Sequence, residues 1–145
     1  MNRYKDWLDQ AKKDLEAANS SLKSGHFEWC CFQAQQSAEK ALKALLLSLN
    51  METWGHSLIQ LLKKWKKVIE ADYKDSSSLE HDEYEKLFNK CQELDRHYIQ
   101  PRYPNGFASG HPAEYYNEQI ALRCIIDARI IVRFVEKEIE KISSY

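Results

Sequence analysis

The chain contains few residues that break helices: only four glycines and three prolines occur among its 145 residues. Strand-rich folds need many tight turns, so this scarcity predicts a few long helices rather than many strands. The length matches one domain spanning residues 1–145, and a chain of roughly 150 residues can bury about 70% of its unfolded surface. We therefore expect a single all-α domain with a substantial core.

The sequence also lacks a strong net charge and a long apolar run. A formal net charge of −1 gives no global attraction to nucleic acid or membrane, so nucleic-acid binding would need a local patch. No apolar run approaches ~18 residues, and the opening MNRYKDWLDQ is too charged for a signal peptide. These absences predict a cytoplasmic protein with no membrane partner.

Motifs for metal or cofactor binding are absent as well. The four cysteines, Cys30, Cys31, Cys91 and Cys124, form no C-x-x-C motif and no His/Cys cluster at zinc spacing. Adjacent Cys30 and Cys31 point to different helix faces, which favours buried small apolar side chains over a disulfide or metal pair. Because there is also no phosphate-binding glycine motif, the sequence predicts no metal and no cofactor.

Apolar residues at helical spacing fill most of the chain. They predict four long helices and one shorter one, with DYKDSSSLEHD as an exposed connection. The inward positions begin with Trp7, Ala11, Leu15, Ala18 and Leu22 on the first helix, which Gly25 ends. The later helices are predicted over about Phe27–Asn50, Ser57–Ala71 with Ser57 as the N-cap, Asp82–Tyr98, and Ala113–Lys141.

A polar stripe interrupts the apolar pattern of the second helix. In CFQAQQSAEKALKALL, the residues Gln36, Glu39, Lys40 and Lys43 recur at steps of three and four and therefore share one face. Such a stripe can form an anion-binding wall. The alternative is a Glu–Lys network that serves a helix contact or a subunit contact, and the spacing leaves both open.

The segment LDRHYIQPRYPNG, residues 94–106, is the main departure from helical patterning. Two prolines and an Asn-Gly turn pair hold Arg102 and Tyr103 in a stiff loop. Arginine suits bidentate contact with phosphate, and tyrosine can stack on a base. Alternatively, Arg102 pairs with an acidic residue such as Glu39 or Asp95 and fixes the loop to the helices.

These two segments, with GHSLIQLL between them and spaced alanines in the last helix, resemble the HEPN (higher eukaryotes and prokaryotes nucleotide-binding) domain. The resemblance extends over roughly Tyr4 to Glu138 and points to the branch with the Arg-Tyr-Pro-Asn-Gly loop. It implies an up-and-down bundle of four to five helices that forms a homodimer. Family members bind nucleotides, partner minimal nucleotidyltransferases in toxin–antitoxin-like pairs or, in many branches, cleave RNA without metal.

The ribonuclease branches of the family carry an Arg followed, after four to six residues, by a His. This sequence departs from that pattern, because its nearest pair, Arg102 and His111, has eight residues between. Arg96 and His97 are adjacent, and neighbouring side chains on a helix diverge. We therefore do not expect this chain to cleave RNA by the family's mechanism. An atypical ribonuclease centre would have to use Arg102 with His111 or His97.

The sequence and the resemblance together favour a non-catalytic homodimer that binds a nucleotide or the phosphates of single-stranded RNA. A ribonuclease toxin with the atypical centre and a purely structural dimerisation module are the alternatives. His56, in GHSL before the third helix, either caps that helix or contacts a ligand. The candidate nucleotide-binding residues are Gln36, Lys40, Lys43, His56, Arg102 and Tyr103.

Overall fold

The computed structural model describes residues 2–72 and 79–143, and throughout these ranges the regular structure is helical, without strands. The all-α prediction is therefore confirmed. Two single-turn 3-10 helices, Pro104–Gly106 and Pro112–Tyr115, follow the fourth helix. The five α-helices are α1 (Tyr4–Lys23), α2 (Phe27–Ser48), α3 (Leu58–Asp72), α4 (His81–Asp95) and α5 (Glu118–Ser143).

Helix α2 lies at the centre of the bundle and contacts each of the other four α-helices. Four of its alanines, Ala34, Ala38, Ala41 and Ala44, are completely buried. Small side chains let neighbouring helices approach closely, and a helix buried on several sides needs apolar residues over most of its circumference. Polar groups on α2 are therefore unusual and must find partners inside the protein.

The predicted inward faces are confirmed on all five helices. On α1, Ala11 and Ala18 are buried, and Trp7, Leu15 and Leu22 pack against the core. Each of the other helices has apolar residues at the predicted helical spacing that are either buried or packed against this core. These residues are Cys31, Ala34, Ala38, Leu42, Leu45, Leu49, Leu58, Leu61, Leu62, Trp65, Val68, Ile69, Tyr84, Leu87, Phe88, Cys91, Leu94, Ile120, Cys124, Ala128, Ile131, Val135 and Ile139.

The turn between α1 and α2 follows the predicted glycine signal. Gly25 has a φ of 78°, a left-handed conformation that glycine adopts without the steric cost of a Cβ. The amide of His26 donates to the carbonyl of Ser21 at 2.9 Å, and the amide of Gly25 donates to that of Leu22 at 3.2 Å. This paired bonding satisfies the last carbonyls of α1 and turns the chain back as an antiparallel hairpin.

Two predicted helix boundaries are wrong. The fourth helix ends at Asp95 rather than Tyr98, and the last begins at Glu118 rather than Ala113, which lies in the second 3-10 turn. Asn117 explains the later start, because its side-chain oxygen accepts a hydrogen bond from the amide of Ile120 at 2.9 Å and caps α5.

The chain carries no candidate membrane span in its described ranges, since none of the helices there combines sufficient length with sufficient apolarity. The predicted exposed connection, DYKDSSSLEHD, extends over residues 72–82. Residues 73–78 of that connection lie outside the described part of the chain.

Candidate functional site

The polar stripe of α2 forms a network around a buried carboxylate. Glu39 is only 4% exposed, and its Oε2 lies 3.2 Å from the ammonium nitrogen of Lys43, which is 8% exposed. The Nδ1 atom of His56 lies 3.2 Å from Glu39 Oε1, and Gln36 donates to the same oxygen at 3.4 Å. Three partners therefore compensate the desolvated carboxylate, as a buried charge requires.

Lys40 does not join this network. Its Nζ atom instead pairs with Asp14 of α1 at 2.5 Å, and both side chains are largely buried. Lys43 also lies 5.7 Å from the centre of the Trp7 ring. Both lysines therefore have carboxylate partners within the monomer.

Arg102 has a different environment, because aromatic rings surround its guanidinium. The central carbon of this group lies 4.3 Å from the ring centre of Phe32, 4.8 Å from that of Tyr98 and 5.2 Å from that of Tyr103. Its Nε donates to the Tyr98 carbonyl oxygen at 2.8 Å. Stacking and one hydrogen bond thus fix the direction of the side chain without neutralising its charge.

No carboxylate in the described part of the chain forms an ion pair with Arg102. The alternative in which Arg102 pairs with Glu39 or Asp95 is wrong, since both acids have other partners. Asp95 accepts from the backbone amide of Leu58 at 2.8 Å and from that of Ile59 at 3.2 Å. It thereby satisfies free amides at the positive N-terminus of α3, which favours a carboxylate.

His56 does not cap α3. Asp95 has that role together with Ser57, whose hydroxyl accepts a hydrogen bond from the amide of Gln60 at 3.3 Å, as predicted for an N-cap. The half-exposed His56 ring stacks on Tyr98, with centroids 4.6 Å apart and planes 18° apart. His56 and Tyr98 consequently join the Glu39 network to the Arg102 environment.

We define the Arg102 surface as Trp29, Phe32, His56, Tyr98, Arg102 and Tyr103. Its outer members expose large rings: Tyr103 is 49% exposed and Trp29 is 47% exposed. Trp29 packs edge-on against Phe32 at 6.0 Å, which makes the surface continuous from α2 to the loop after α4. It offers one positively charged group in a fixed position, the Arg102 guanidinium, and aromatic rings that can stack on a flat ligand.

The sequence-based list of candidates omits three aromatic residues of the Arg102 surface: Trp29, Phe32 and Tyr98. The list does contain Gln36, His56, Arg102 and Tyr103. A helical-spacing signal exists for one of the omitted residues, since Phe32 precedes Gln36 by one turn of α2.

The candidates for an atypical ribonuclease centre have separate partners. The Nδ1 atom of His97 lies 2.8 Å from the Tyr116 hydroxyl, whereas that of His111 lies 2.5 Å from Glu114. Arg102 has its aromatic environment and the Tyr98 carbonyl. The fold of one monomer thus assigns the two histidines and Arg102 to three different sets of contacts.

Comparisons with known structures identify the class of protein to which this helical bundle belongs. TT1696 from Thermus thermophilus superimposes with a TM-score of 0.80 at 38% identity, covering 95% of this chain and 99% of that one. ST0689, an archaeal HEPN homologue, superimposes with a TM-score of 0.73 at 35% identity, covering 96% and 99%. A HEPN domain protein of Thermotoga maritima reaches 0.64 at 30% identity, covering 91% and 95%.

The HEPN domain family model matches residues 4–139. The chain therefore belongs to the HEPN domain family. A Methanocaldococcus jannaschii protein named "Putative toxin MJ1304" is 28% identical over 135 residues, which cover 90% of this chain and 84% of that protein.

Proposed function

We propose that this HEPN protein binds a nucleotide or the phosphates of single-stranded RNA at the Arg102 surface, without cleaving it. The observation that carries the proposal is the state of Arg102: its guanidinium is held in place, yet no carboxylate of the described residues neutralises it. A buried ion pair would have made the same residue structural. A positioned arginine whose charge is uncompensated is suited to an anionic ligand.

The surroundings of Arg102 favour a ligand that carries both phosphate and base. Only Nε of the guanidinium has a hydrogen-bond acceptor in the described part of the chain, so the terminal nitrogens can form a bidentate contact with phosphate. Tyr103 and Trp29 expose rings nearby on which a base can stack, a contact worth about 1–3 kcal/mol per base in single-strand binders. Because the whole chain has a net charge of −1, this local geometry must provide the attraction.

The proposed site centres on Arg102, Tyr103, His56 and Gln36. Lys43 contributes to it indirectly and Lys40 lies outside it, because the ammonium groups of both lysines have carboxylate partners in the monomer. In this proposal Lys43 pairs with Glu39, and Glu39 contacts and orients His56. His56 in turn stacks on Tyr98, whose ring lies beside the Arg102 guanidinium.

We also propose a homodimer that pairs with a minimal nucleotidyltransferase in a toxin–antitoxin-like system. The family resemblance and the naming of the archaeal relative as a toxin support such a context. On α5, Leu122, Ile126 and Ile130 are 41%, 51% and 39% exposed and share one face at steps of four. This apolar stripe supports self-association.

The dimer proposal is tested by multi-angle light scattering of wild type and Ile126→Lys. We expect a dimer for wild type and a monomer for the variant, because a charge would be buried between two apolar stripes. Ile99→Lys is the matched control, since Ile99 is 57% exposed and lies outside α5. A monomeric wild type, or a variant that dimerises as wild type does, would exclude this interface.

Ligand binding is tested by thermal-shift titrations of metal-free protein with ATP, GTP and a short single-stranded RNA. A ligand at 100 times its dissociation constant adds about 2.7 kcal/mol of stability, which raises the unfolding midpoint measurably. We expect at least one ligand to raise the unfolding midpoint of wild type and of Arg129→Ala. The Arg129→Ala control removes the same charge from an exposed position of α5. Arg102→Ala should lose the shift. RNA cleavage abolished by His97→Ala and His111→Ala would instead favour the ribonuclease alternative.

A further inference from the structure

Folding brings two cysteines and a histidine together at a place separate from the polar stripe of α2. One ligand atom from each of Cys31, His97 and Cys124 lies within 4.8 Å of the other two. Cys31 is completely buried on α2, Cys124 is 4% exposed on α5, and His97 lies just after α4. Three separate parts of the chain thus converge on one small volume.

The three side chains have the chemistry of a site for a borderline-soft transition metal. Two thiolates and one imidazole form the protein ligand set that zinc uses in some sites with an open fourth position. Ligand atoms bound to one zinc ion at about 2.0–2.3 Å in tetrahedral geometry lie about 3.3–3.8 Å apart. The three ligand atoms, which lie within 4.8 Å of one another, would therefore have to approach by at most about 1.5 Å to bind one metal ion.

The orientation of His97 is already set by a neighbour. Its Nδ1 atom lies 2.8 Å from the hydroxyl oxygen of buried Tyr116, and their rings meet edge-on at 5.4 Å. When Nδ1 donates its proton to this oxygen, the lone pair of the neutral ring is on Nε2, which is then the nitrogen available to a metal ion. Fixing the second ring nitrogen in this manner is a recurrent feature of histidine ligands.

We propose that Cys31, His97 and Cys124 form a zinc-type metal site. Binding would release the thiol protons of Cys31 and Cys124 to solvent and leave two thiolates and a neutral imidazole around the dication. Cys124, His97 and Tyr116 also line a cavity of about 300 Å³, together with Arg123 and Asp127. A fourth ligand, water or an anion, could reach the metal from this cavity.

The site is tested by adding Co²⁺ and then Zn²⁺ to the full chain, reduced by a phosphine and stripped of metal with a chelator. We expect one Co²⁺ per chain, with thiolate-to-cobalt charge-transfer absorption in the near ultraviolet and the strong visible bands of tetrahedral coordination. Zn²⁺ should displace the Co²⁺ and abolish both signals. Wild type that gives no charge-transfer absorption would overturn the proposal.

Variants assign the ligands. Cys124→Ser and Cys31→Ser should lose the charge-transfer absorption, whereas Cys30→Ser, which alters an adjacent buried thiol outside the cluster, should retain it. Tyr116→Phe removes only the partner of His97 and should weaken metal binding about 10-fold or more. If a cysteine variant fails to fold, His97→Gln and Tyr116→Phe decide the question, with folding checked by circular dichroism.

The metal proposal is independent of ligand binding at the Arg102 surface. Arg102→Ala should bind Co²⁺ as wild type does. Equal Co²⁺ affinity in wild type, His97→Gln and Tyr116→Phe would show that the metal binds elsewhere and would overturn the assignment.

Discussion

The cationic side chains of Lys43 and Arg102 lie at opposite ends of one series of side-chain contacts, and their surroundings differ. Lys43 is 8% exposed and lies 3.2 Å from the carboxylate of Glu39. Arg102 is partly exposed, with three aromatic rings beside it and no ion-pair partner among the described residues. Between them, His56 contacts Glu39 on one side and stacks on Tyr98 on the other.

The difference teaches which positive charge is available to a ligand. The ammonium of Lys43 was desolvated on folding and is compensated by a carboxylate, so a competing anion would have to break a buried pair. The guanidinium of Arg102 gains its order from ring faces and one carbonyl, which leave its full charge in place. Charge alone therefore does not mark a candidate binding residue. The proposal for Arg102 depends on an ordered cation that has no ion-pair partner among the described residues.

The largest expected effect comes from breaking the buried pair. Glu39→Ala leaves Lys43 desolvated without a counter-charge and should destabilise the protein by about 3–5 kcal/mol in urea unfolding. Replacing both residues, as Glu39→Met with Lys43→Met, should recover most of that loss, because it removes both desolvated charges.

Glu16→Ala is the matched control for the buried pair. Glu16 and Lys13 form an exposed pair at 3.2 Å on α1, and breaking it should cost no more than about 1 kcal/mol. If Glu39→Ala proved as mild as Glu16→Ala, the polar stripe would not be a structural network.

The next largest effect on stability is expected at Asp95, and it also tests whether Asp95 interacts with Arg102. Asp95→Ala removes the acceptor for the first amides of α3 and should cost about 1–2 kcal/mol. Because Asp95 does not pair with Arg102, a double-mutant cycle between the two residues should give a coupling energy below about 0.5 kcal/mol. A larger coupling energy would indicate a hidden ion pair and would weaken the case for an available guanidinium.

Arg102→Ala should affect stability less than it affects binding. It removes one hydrogen bond and ring contacts of modest strength, for an expected loss of about 1–2 kcal/mol of unfolding free energy. Arg102→Lys should restore part of this stability but not bidentate phosphate contact. Equal recovery of stability and affinity by lysine would show that charge, rather than guanidinium geometry, governs the site.

The smallest expected effect concerns Asp127, an acidic group beside the metal-site cavity. Burial raises the pKa of Asp127, against the opposing influence of Lys90. The folded pKa thus exceeds the unfolded value of about 3.9, so this contribution to stability is complete below pH ~3.9 and is lost as pH rises through the folded pKa.

Asp127→Asn should therefore stabilise the protein at pH 7 relative to wild type, and the gain should disappear near pH 3.5. Urea unfolding at both pH values measures the difference. Asp9→Asn serves as the control, because Asp9 is an exposed residue of α1, and it should change stability by no more than about 0.5 kcal/mol. A loss of stability at pH 7 would mean that ionised Asp127 is favourably paired in the folded protein.

Sequence patterning was sufficient for the helices and their inward faces, because apolar spacing directly reflects which face of a helix is buried. It failed at the start of α5, where an asparagine cap at Asn117 delays the helix beyond the point that apolar spacing suggests. It also listed Arg102 and His56 as candidate site residues, but not Tyr98 or Phe32. An aromatic residue at helical spacing looks the same in sequence whether it fills the core or lies beneath a cation.

The cysteine cluster illustrates a further limit of sequence patterning. Cys31, His97 and Cys124 show no local spacing typical of metal ligands, because they belong to α2, the turn after α4 and α5. Only the packing of these three segments brings their ligand atoms together. Long-range proximity of this kind leaves no trace in the spacing of a single sequence.

The availability of Arg102 is tested most directly by fluorescence anisotropy with labelled single-stranded RNA and by calorimetry with ATP, at one fixed salt concentration. Loss of a charge-assisted bidentate contact is worth about 1.5–3 kcal/mol, so Arg102→Ala should weaken binding by roughly ten- to a hundredfold. Arg129→Ala should bind within about threefold of wild type, since about 0.6 kcal/mol corresponds to that ratio. Equal affinities for wild type and Arg102→Ala, or for the two variants, would contradict the assignment of Arg102 as the phosphate-binding residue.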